Sequence, residues 1–250
     1  MIPNLKSRLR SGELLLGTMI TLPSPDVTEI MALAGFDWLF IDGEHGPFDA
    51  SNLGQILRAA SDHAACLVRV PAIEEVPLKQ ALDLGAAGII VPKVNTANEA
   101  AQIVDWCRYP PHGSRGIGLA RAHGFGHRSS EYMTAANSDL LVIVQAEHRE
   151  AVENIESIVA VDGIDCVFVG PHDLSASFGK TGQVDDPEVV AAIDRVVSVC
   201  QSRQMPLGFF GMAPHHVQPW VDRGVNLICV GVDAALLADS AKQIRAAFTK

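Results

Sequence analysis

The chain has 250 residues, of which 48% are hydrophobic and 19% charged, so it is long enough to bury a sizeable core. Its 29 acidic residues outnumber its 19 lysines and arginines, and the formal net charge of −10 argues against nucleic acid as a partner. No segment approaches the roughly 18 apolar residues of a membrane span, and the apolar run near the N-terminus is too short for a signal peptide. We therefore expect a cytoplasmic protein that binds neither nucleic acid nor a membrane.

Short β-rich apolar runs alternate with longer helical segments along the chain, which is typical of βα units and a parallel sheet. The predicted strands are residues 14–19, 38–42, 67–70, 88–92, 140–145, 165–169, 207–210 and 227–230. The predicted helices include residues 50–62, 76–84, 97–107, 149–159, 187–203 and 234–248. Eight such units predict a closed (β/α)8 barrel of the TIM type, with residues 1–250 forming a single domain.

Residues 109–128 interrupt this alternation. The segment contains seven Pro and Gly residues, which is typical of a long loop. A long loop on a compact barrel is more often functional than not. We therefore predict that it forms part of the substrate pocket, together with Phe210 and Met212 at the end of the seventh strand.

The five cysteines are scattered along the chain and form no CxxC pair. Each lies within an apolar run that is predicted to be a strand or a helix. The odd number and the spacing argue against a disulfide framework or a structural zinc site. We expect buried, reduced thiols at Cys66, Cys107, Cys166, Cys200 and Cys229.

Polar residues follow several predicted strands, at the barrel end where active sites of this fold lie. They are Asp42, Glu44 and His45 in IDGEHGPFD, Arg69 in VRVP, Gln145, Glu147 and His148 in VQAEH, and Gly170, His172 and Asp173 in VGPHDLSAS. Glu147 and Asp173 follow adjacent strands, so their carboxylates could bind one hard cation. The alternative is that each is a helix N-cap. His45 and Asp42 could form a structural pair, but their common position with the other polar residues favours a functional site.

The ordered motifs IDGEHGP, VRVP, DLGAAGIIVPKVNTANEA, RGIG, VQAE, VFVGPHDLSASFG and VGVDAALL occur from about Gly17 to the C-terminus. In this order they resemble the HpcH/HpaI family of metal-dependent 4-hydroxy-2-oxo acid aldolases. The resemblance implies a (β/α)8 barrel with Mg, Mn or Co as its cofactor. It also implies reversible class II cleavage of a 4-hydroxy-2-oxo acid to an aldehyde and pyruvate, or a related 2-oxo acid such as hydroxypyruvate. A hexamer built as a trimer of dimers is the implied assembly.

The resemblance also implies roles for individual residues. By position, Glu147 and Asp173 match the two metal ligands, and Arg69 matches the arginine that binds the oxo acid. His45 with Asp42 matches the acid/base pair, in which we expect Asp42 to orient His45.

Other positions match substrate-binding elements of the family. Gln145 matches a residue close to the metal, and the backbone N–H groups around Gly170 match the cradle for the donor carboxylate. Asp83 matches an acid that reaches the site of a neighbouring subunit. His172 departs from the small residue that is common in the family, which puts the specificity of the pocket in doubt. Asp233, at the start of the last helix, opposes phosphate binding there, so we expect a non-phosphorylated donor.

The sequence leaves three further functions open. Lys93 follows the fourth strand and could form a Schiff base, although a single lysine there is more often a solvated charge. A lyase for acyl-CoA substrates belongs to the same superfamily. A non-catalytic sensor of 2-oxo acids would need the metal but not the pair formed by His45 and Asp42.

Overall fold

Eight parallel strands form a closed barrel in which each strand pairs with the next and β8 pairs with β1. The computed structural model describes residues 4–248. The strands are β1 (Leu15–Ile20), β2 (Trp38–Asp42), β3 (Ala65–Arg69), β4 (Gly88–Val91), β5 (Leu141–Ala146), β6 (Cys166–Val169), β7 (Leu207–Gly211) and β8 (Leu227–Val232). The predicted closed barrel is thus confirmed, and each predicted strand end lies within two residues of the observed one.

Helices lie between the strands. They are α1 (Leu5–Arg10), α2 (Pro25–Leu33), α3 (Ala50–Ala59), α4 (Glu75–Asp83), α5 (Ala97–Cys107), α6 (Ser129–Asp139), α7 (Arg149–Glu153), α8 (Ile155–Ile158), α9 (Pro171–Ser177), α10 (Pro187–Ser202), α11 (Pro214–Val221) and α12 (Asp233–Ala246). The predicted helix over residues 149–159 is divided into α7 and α8 at Asn154. Side chains of Ser24, Asp49, Thr96 and Asp186 accept hydrogen bonds from first-turn N–H groups, which fixes where four of the helices begin. Within residues 4–248, no helix is both long and apolar enough to cross a membrane.

Two apolar layers build the core. One layer lies between the strands and the surrounding helices. The other fills the barrel interior, where the rings of Trp38, Phe40 and Phe168 pack edge to face, with 5.7 Å between the centroids of Phe40 and Phe168. Because most strand positions are buried on both faces, the strands are almost continuously apolar in sequence. The filled interior leaves the ends of the strands as the place for polar chemistry.

All five cysteines are buried and unpaired, as predicted. Cys166 and Cys229 belong to the barrel interior, and the other three belong to the outer layer. Burial raises the pKa of the Cys66, Cys107 and Cys200 thiols to about 12. These thiols therefore stay protonated and fill space as small apolar groups.

The loop over residues 109–128 packs against the outer helices. The guanidinium of buried Arg115 lies 4.6 Å from the ring centroid of Tyr109 and donates to Asp83 at 2.7 Å. Buried His123 is hydrogen-bonded to the hydroxyl of Tyr109 at 2.9 Å. Arg121 donates to the carbonyl of Leu84 at the end of α4. These contacts hold the loop in place and attach it to the end of α4.

The last helix differs from the others in its exposure. Of the residues in α12, only Asp233 is buried. Leu236, Leu237 and Ile244 are all exposed, although a helix in this position normally covers the barrel. Exposed apolar residues also occur on α2, at Ile30 and Leu33. The chain therefore leaves apolar surface uncovered on two helices that follow adjacent strands.

Candidate active site

A cavity of about 170 Å³ lies at the carboxyl ends of the strands, where the sequence predicted a site. Its lining includes nine of the predicted site residues: Asp42, His45, Arg69, Gln145, Glu147, Gly170, His172, Asp173 and Phe210. Met19, Phe40, Phe168 and Pro171 complete it, and sequence reasoning did not name them as site residues. For the first three, the signal was the strand periodicity, since every second residue of a barrel strand faces inward.

Glu147 is a buried carboxylate that forms no ion pair within the described residues. It follows β5 and is only 2% exposed. Its Oε1 accepts the backbone N–H of Lys93 at 2.8 Å, and its Oε2 accepts a hydrogen bond from Nε2 of Gln145 at 2.9 Å. Burial raises the pKa of Glu147 to about 7, and the nearby negative charge of Asp173 acts in the same direction. The fold therefore places this carboxyl group where it is hard to ionise unless a cation compensates its charge.

Neither Glu147 nor Asp173 is a helix N-cap, so the capping alternative is wrong. The N-cap of α7 is His148, whose Nδ1 accepts the backbone N–H of Glu150. The N-cap of α9 is Gly170, and Asp173 lies in the first turn of that helix. Both carboxylates line the cavity instead.

Gln145 and Gly170 complete the surroundings of Glu147. In the described structure, Oε1 of Gln145 is buried and has no hydrogen-bond partner. A Cβ atom at residue 170 would lie 2.6 Å from Oε2 of Glu147, so only glycine leaves room for this carboxylate. Two carboxylates and an unpaired amide oxygen are suitable ligands for a hard divalent cation. Since residues 4–248 contain no group of three or more His, Cys, Asp or Glu placed to hold a metal, substrate or water would supply the remaining ligands.

Arg69 lines the same cavity and is bound by two carboxylates. Its Nε donates to Oδ1 of Asp42 at 2.9 Å, and its Nη2 lies 2.8 Å from Oδ2 of the same residue. Its Nη1 lies 3.3 Å from Oε2 of Glu44. The side-on pairing with Asp42 fixes the plane of the guanidinium, and Nη1 is the nitrogen that Asp42 does not bind.

The structure corrects the expected contact between Asp42 and His45. Oδ1 of Asp42 accepts the backbone N–H groups of Glu44 and His45, each at 3.2 Å. The imidazole of His45 is 64% exposed, and the nearest carboxylate oxygen belongs to Glu44, 3.9 Å from Nε2. Asp42 therefore holds Arg69 and the backbone of the loop after β2, and it does not orient the ring of His45 in this structure.

Lys93 and Asp83 lie outside the cavity lining. The side chain of Lys93 is 64% exposed, and its ammonium group lies 3.5 Å from Glu44. This paired, solvated position argues against Schiff-base formation, which needs a neutral amine beside the substrate. Asp83, at the end of α4, is held by Arg115 and remains partly exposed.

The pocket wall differs from the prediction. His172 and Phe210 both line the cavity, with 6.3 Å between their ring centroids. Met212 is exposed and lines a groove beside α11 that shares Pro171, His172 and Phe210 with the cavity. The loop over residues 109–128 contributes nothing to the described lining of the cavity, because it packs on the outer helices. Within one chain, the expectation that this loop forms the wall is therefore wrong, whereas the expectation for Met212 stays a prediction.

Asp233 has a structural contact that sequence reasoning missed. Its buried carboxylate accepts the backbone N–H groups of Thr21, Leu22 and Ala234, and also the hydroxyl of Thr21. These contacts tie the segment after β1 to the start of α12. The N–H groups that it binds are consequently not available to a phosphate.

Comparisons with known proteins agree with this geometry. Residues 16–240 match the family model described as HpcH/HpaI aldolase/citrate lyase. The 2-keto-3-deoxy-L-rhamnonate aldolase of Escherichia coli O157:H7 is 40% identical over 246 residues, which are 97% of this chain and 92% of that protein.

Two solved structures extend the likeness to the fold. An HpcH/HpaI aldolase/citrate lyase family protein from Burkholderia cenocepacia J2315 is 37% identical with a TM-score of 0.93, over 96% of each chain. The citrate synthase SbnG is 29% identical with a TM-score of 0.89, over 98% of this chain and 96% of the other. The family model covers most of the chain, and the named relatives include an aldolase. The chain therefore belongs to the HpcH/HpaI aldolase/citrate lyase family and is a carbon–carbon lyase.

Proposed function

We propose that the protein is a divalent-metal-dependent aldolase that cleaves 4-hydroxy-2-oxo acids reversibly to pyruvate, or a related 2-oxo acid such as hydroxypyruvate, and an aldehyde. One observation carries the proposal: the buried carboxylate of Glu147 forms no ion pair within residues 4–248, and it lies beside Asp173 and the unpaired oxygen of Gln145. A relative that is 40% identical is named for a 2-keto-3-deoxy sugar acid, which is a 2-oxo acid, and this supports the substrate class.

Glu147 and Asp173 are the proposed ligands of Mg, Mn or Co, with the amide oxygen of Gln145 facing the same place. When bound, such an ion supplies Lewis acidity towards the oxygens of a 2-oxo acid. The carboxylates provide the negative charge that holds it. The backbone N–H groups around Gly170 are the proposed cradle for the donor carboxylate.

Arg69 and His45 are the proposed catalytic residues. In cleavage, the bond between C3 and C4 breaks and its electron pair passes through C3 towards the 2-oxo oxygen, where Nη1 of Arg69 can donate a hydrogen bond. His45 accepts the proton of the C4 hydroxyl, so that an aldehyde leaves, and a proton is returned to C3 to give the methyl group of pyruvate. Asp42 supports this chemistry by fixing Arg69.

A panel of donors and acceptors tests the proposal. Pyruvate, hydroxypyruvate and 2-oxobutyrate would each be incubated with several aldehydes, before and after chelator dialysis. We expect turnover that requires an added divalent ion. Turnover that is undiminished after exhaustive dialysis would refute the metal dependence, and no turnover with any pair would favour a non-catalytic sensor.

The acyl-CoA lyase and the Schiff-base aldolase each have a direct test. Citramalyl-type thioesters test the acyl-CoA lyase, for which the likeness to a citrate synthase provides a motive. Borohydride treatment with pyruvate tests the Schiff base, and covalent labelling of Lys93 would establish it. We expect neither reaction.

We further propose that the protein is a homo-oligomer, a hexamer arranged as a trimer of dimers, in which Asp83 reaches a neighbouring site. The exposed apolar residues of α2 and α12 support an assembly, since such surface is normally covered. Light scattering coupled to gel filtration measures the mass directly. A stable, active monomer would contradict this proposal.

A further inference from the structure

Glu44 has no part in the mechanism above, although it lies among the charges of the site. Its side chain is mostly buried. Oε2 lies 3.3 Å from Nη1 of Arg69 and 3.9 Å from Nε2 of His45, and Oε1 lies 3.5 Å from Nζ of Lys93. One carboxylate thus contacts side chains from the ends of β2, β3 and β4.

Lys93 connects the same carboxylate to the other half of the site. Its backbone has a φ of 54°, a left-handed conformation that non-glycine residues rarely adopt. In this conformation its N–H points at Oε1 of Glu147, at 2.8 Å. The orientation of one proposed metal ligand therefore depends on a strained peptide whose own side chain is held by Glu44.

We propose that Glu44 and Lys93 are positioning residues that join the oxo-acid-binding half of the site, at Arg69, to the metal-binding half, at Glu147. The chain of contacts runs from Arg69 through Glu44 and Lys93 to Glu147. This inference rests on the proposed function, because it assigns Glu147 to the metal. It predicts that the loss of the ion pair between Glu44 and Lys93 weakens binding of the metal at Glu147.

The expected effect is modest. Groups that orient a metal ligand directly change metal affinity by about 10- to 100-fold. Glu44 acts one contact further away, and the ammonium group of Lys93 is largely exposed, which weakens the pair. We therefore expect Mn²⁺ binding to weaken by about 3- to 10-fold when either side chain is neutralised.

The test measures binding of Mn²⁺ alone to the whole protein by calorimetry, together with KM for pyruvate. Glu44→Gln and Lys93→Met should each weaken Mn²⁺ binding, and the double variant should be no weaker than the worse single one, because both remove the same pair. Lys93→Arg should restore most of the affinity. Glu44→Gln should in addition raise KM for pyruvate, because Arg69 loses a contact.

A matched pair on the protein surface provides the control. Glu75 and Lys79 form an ion pair of 2.8 Å on α4, and neither lines the cavity. Glu75→Gln and Lys79→Met should leave the affinity for Mn²⁺ unchanged. If Glu44→Gln does not fold, Lys93→Met carries the same test through a side chain that is mostly in solvent.

The outcomes separate this inference from the proposed function. If Glu44→Gln raises KM but binds Mn²⁺ as the parent does, Glu44 supports Arg69 alone and the inference is wrong. Unchanged Mn²⁺ binding in Lys93→Met would equally overturn it. If the parent protein itself fails to bind Mn²⁺, the proposed metal site falls and the inference falls with it.

Discussion

Two buried carboxylates at opposite ends of the barrel have opposite surroundings. Asp165, just before β6, and Glu147, just after β5, are each 2% exposed. Asp165 lies within 2.9 Å of cationic nitrogens of Lys6, Arg10 and Arg108, and it also accepts the N–H of Val142. Glu147 has two N–H donors and no ion pair within residues 4–248. At equal burial, Asp165 therefore has three ion-paired cations, whereas Glu147 has no ion-paired cation in the described part of the chain.

This difference indicates that the amino-terminal ends of the strands, near Asp165, contribute to stability, whereas the carboxyl ends, near Glu147, contain the candidate active site. The charge of Asp165 is compensated by the chain itself, which anchors α1 to the segments before β5 and β6. Glu147 has no ion-pair partner among residues 4–248. The charge of Arg69 lowers its pKa, but burial outweighs this effect and raises the pKa to about 7. A divalent ion beside Glu147 would supply the remaining compensation.

The largest expected effect comes from removing the proposed metal ligands. Glu147→Ala and Asp173→Ala should each reduce aldol turnover by roughly 10³-fold or more and abolish tight Mn²⁺ binding, because a hard-ion site loses one of its two charges. Steady-state kinetics and calorimetry measure both. Each variant should still fold, as circular dichroism can establish. If either variant turned over substrate at nearly the rate of the parent protein, the replaced residue would not be a metal ligand.

His45→Ala should separate proton transfer from metal binding. Loss of a positioned acid/base lowers the rate of cleavage by roughly 10² to 10⁴-fold. Affinity for Mn²⁺ should hardly change, since the exposed imidazole does not contact Glu147 or Asp173. Cleavage rates and calorimetry on the same preparation decide the matter. A variant that no longer binds the ion would make His45 a ligand.

Neutralising the two buried carboxylates should have opposite effects on stability. Asp165→Asn leaves three cations without their partner and should lower the free energy of unfolding by about 3 to 5 kcal/mol. Glu147→Gln removes an uncompensated charge, so the metal-free variant should be at least as stable as the parent at pH 8. Urea unfolding with a chelator present measures both. Equal losses would show that the comparison between the two carboxylates is mistaken.

The two arginines beside these regions provide a second contrast. Arg69→Lys keeps a charge but loses the planar fork that Asp42 fixes, so we expect roughly 10²-fold slower turnover. Arg108→Lys at the other end should change stability and leave the rate per folded molecule close to that of the parent. Kinetics at saturating metal tests both, and a rate for Arg69→Lys within a few-fold of the parent would refute its role.

The smallest predicted effect is a pH dependence of stability. Folding raises the pKa of Glu147 from 4.5 to about 7, so the folded state holds this proton more tightly than the unfolded state does. The resulting stabilisation is present below about pH 4.5 and is lost as the pH rises to about 7, by up to about 3 kcal/mol. Unfolding of the metal-free protein from pH 5 to pH 8 should show this slope in the parent and lack it in Glu147→Gln. Parallel curves for the two proteins would contradict the raised pKa.

The sequence predicts the barrel and most of the cavity because both depend on local patterns. Strands buried on both faces are apolar runs, and polar residues that follow them must meet at one end of the barrel. This logic correctly gathered Arg69, Gln145, Glu147 and Asp173, which lie at or just after the ends of β3 and β5 and in the helix that follows β6.

Contacts that depend on side-chain conformation could not be predicted in this way. Strand order brings Asp42, His45 and Arg69 together, but it does not show whether the side chain of Asp42 binds His45 or Arg69. In the structure it binds the guanidinium of Arg69. The partners of Asp165 include Lys6 in α1, which is far from Asp165 in the sequence, and no local pattern reveals such a distant contact. The apolar residues of α12 form a pattern that predicts packing, but the structure leaves Leu236, Leu237 and Ile244 exposed.

The rates at which the five buried thiols react with an alkylating reagent can report how often the barrel opens. Alkylating reagents react with the thiolate form of cysteine. In the folded protein, burial blocks access to the thiols, and the raised pKa of Cys66, Cys107 and Cys200 keeps these thiols protonated. Labelling therefore requires local or global opening, and its rate reports how often each region opens. Cys166 and Cys229 report on the barrel interior, and Cys66, Cys107 and Cys200 report on the layer beneath the helices. Mass spectrometry of labelled peptides would thus show, without any engineered probe, whether the barrel and its helical layer come apart together or in sequence.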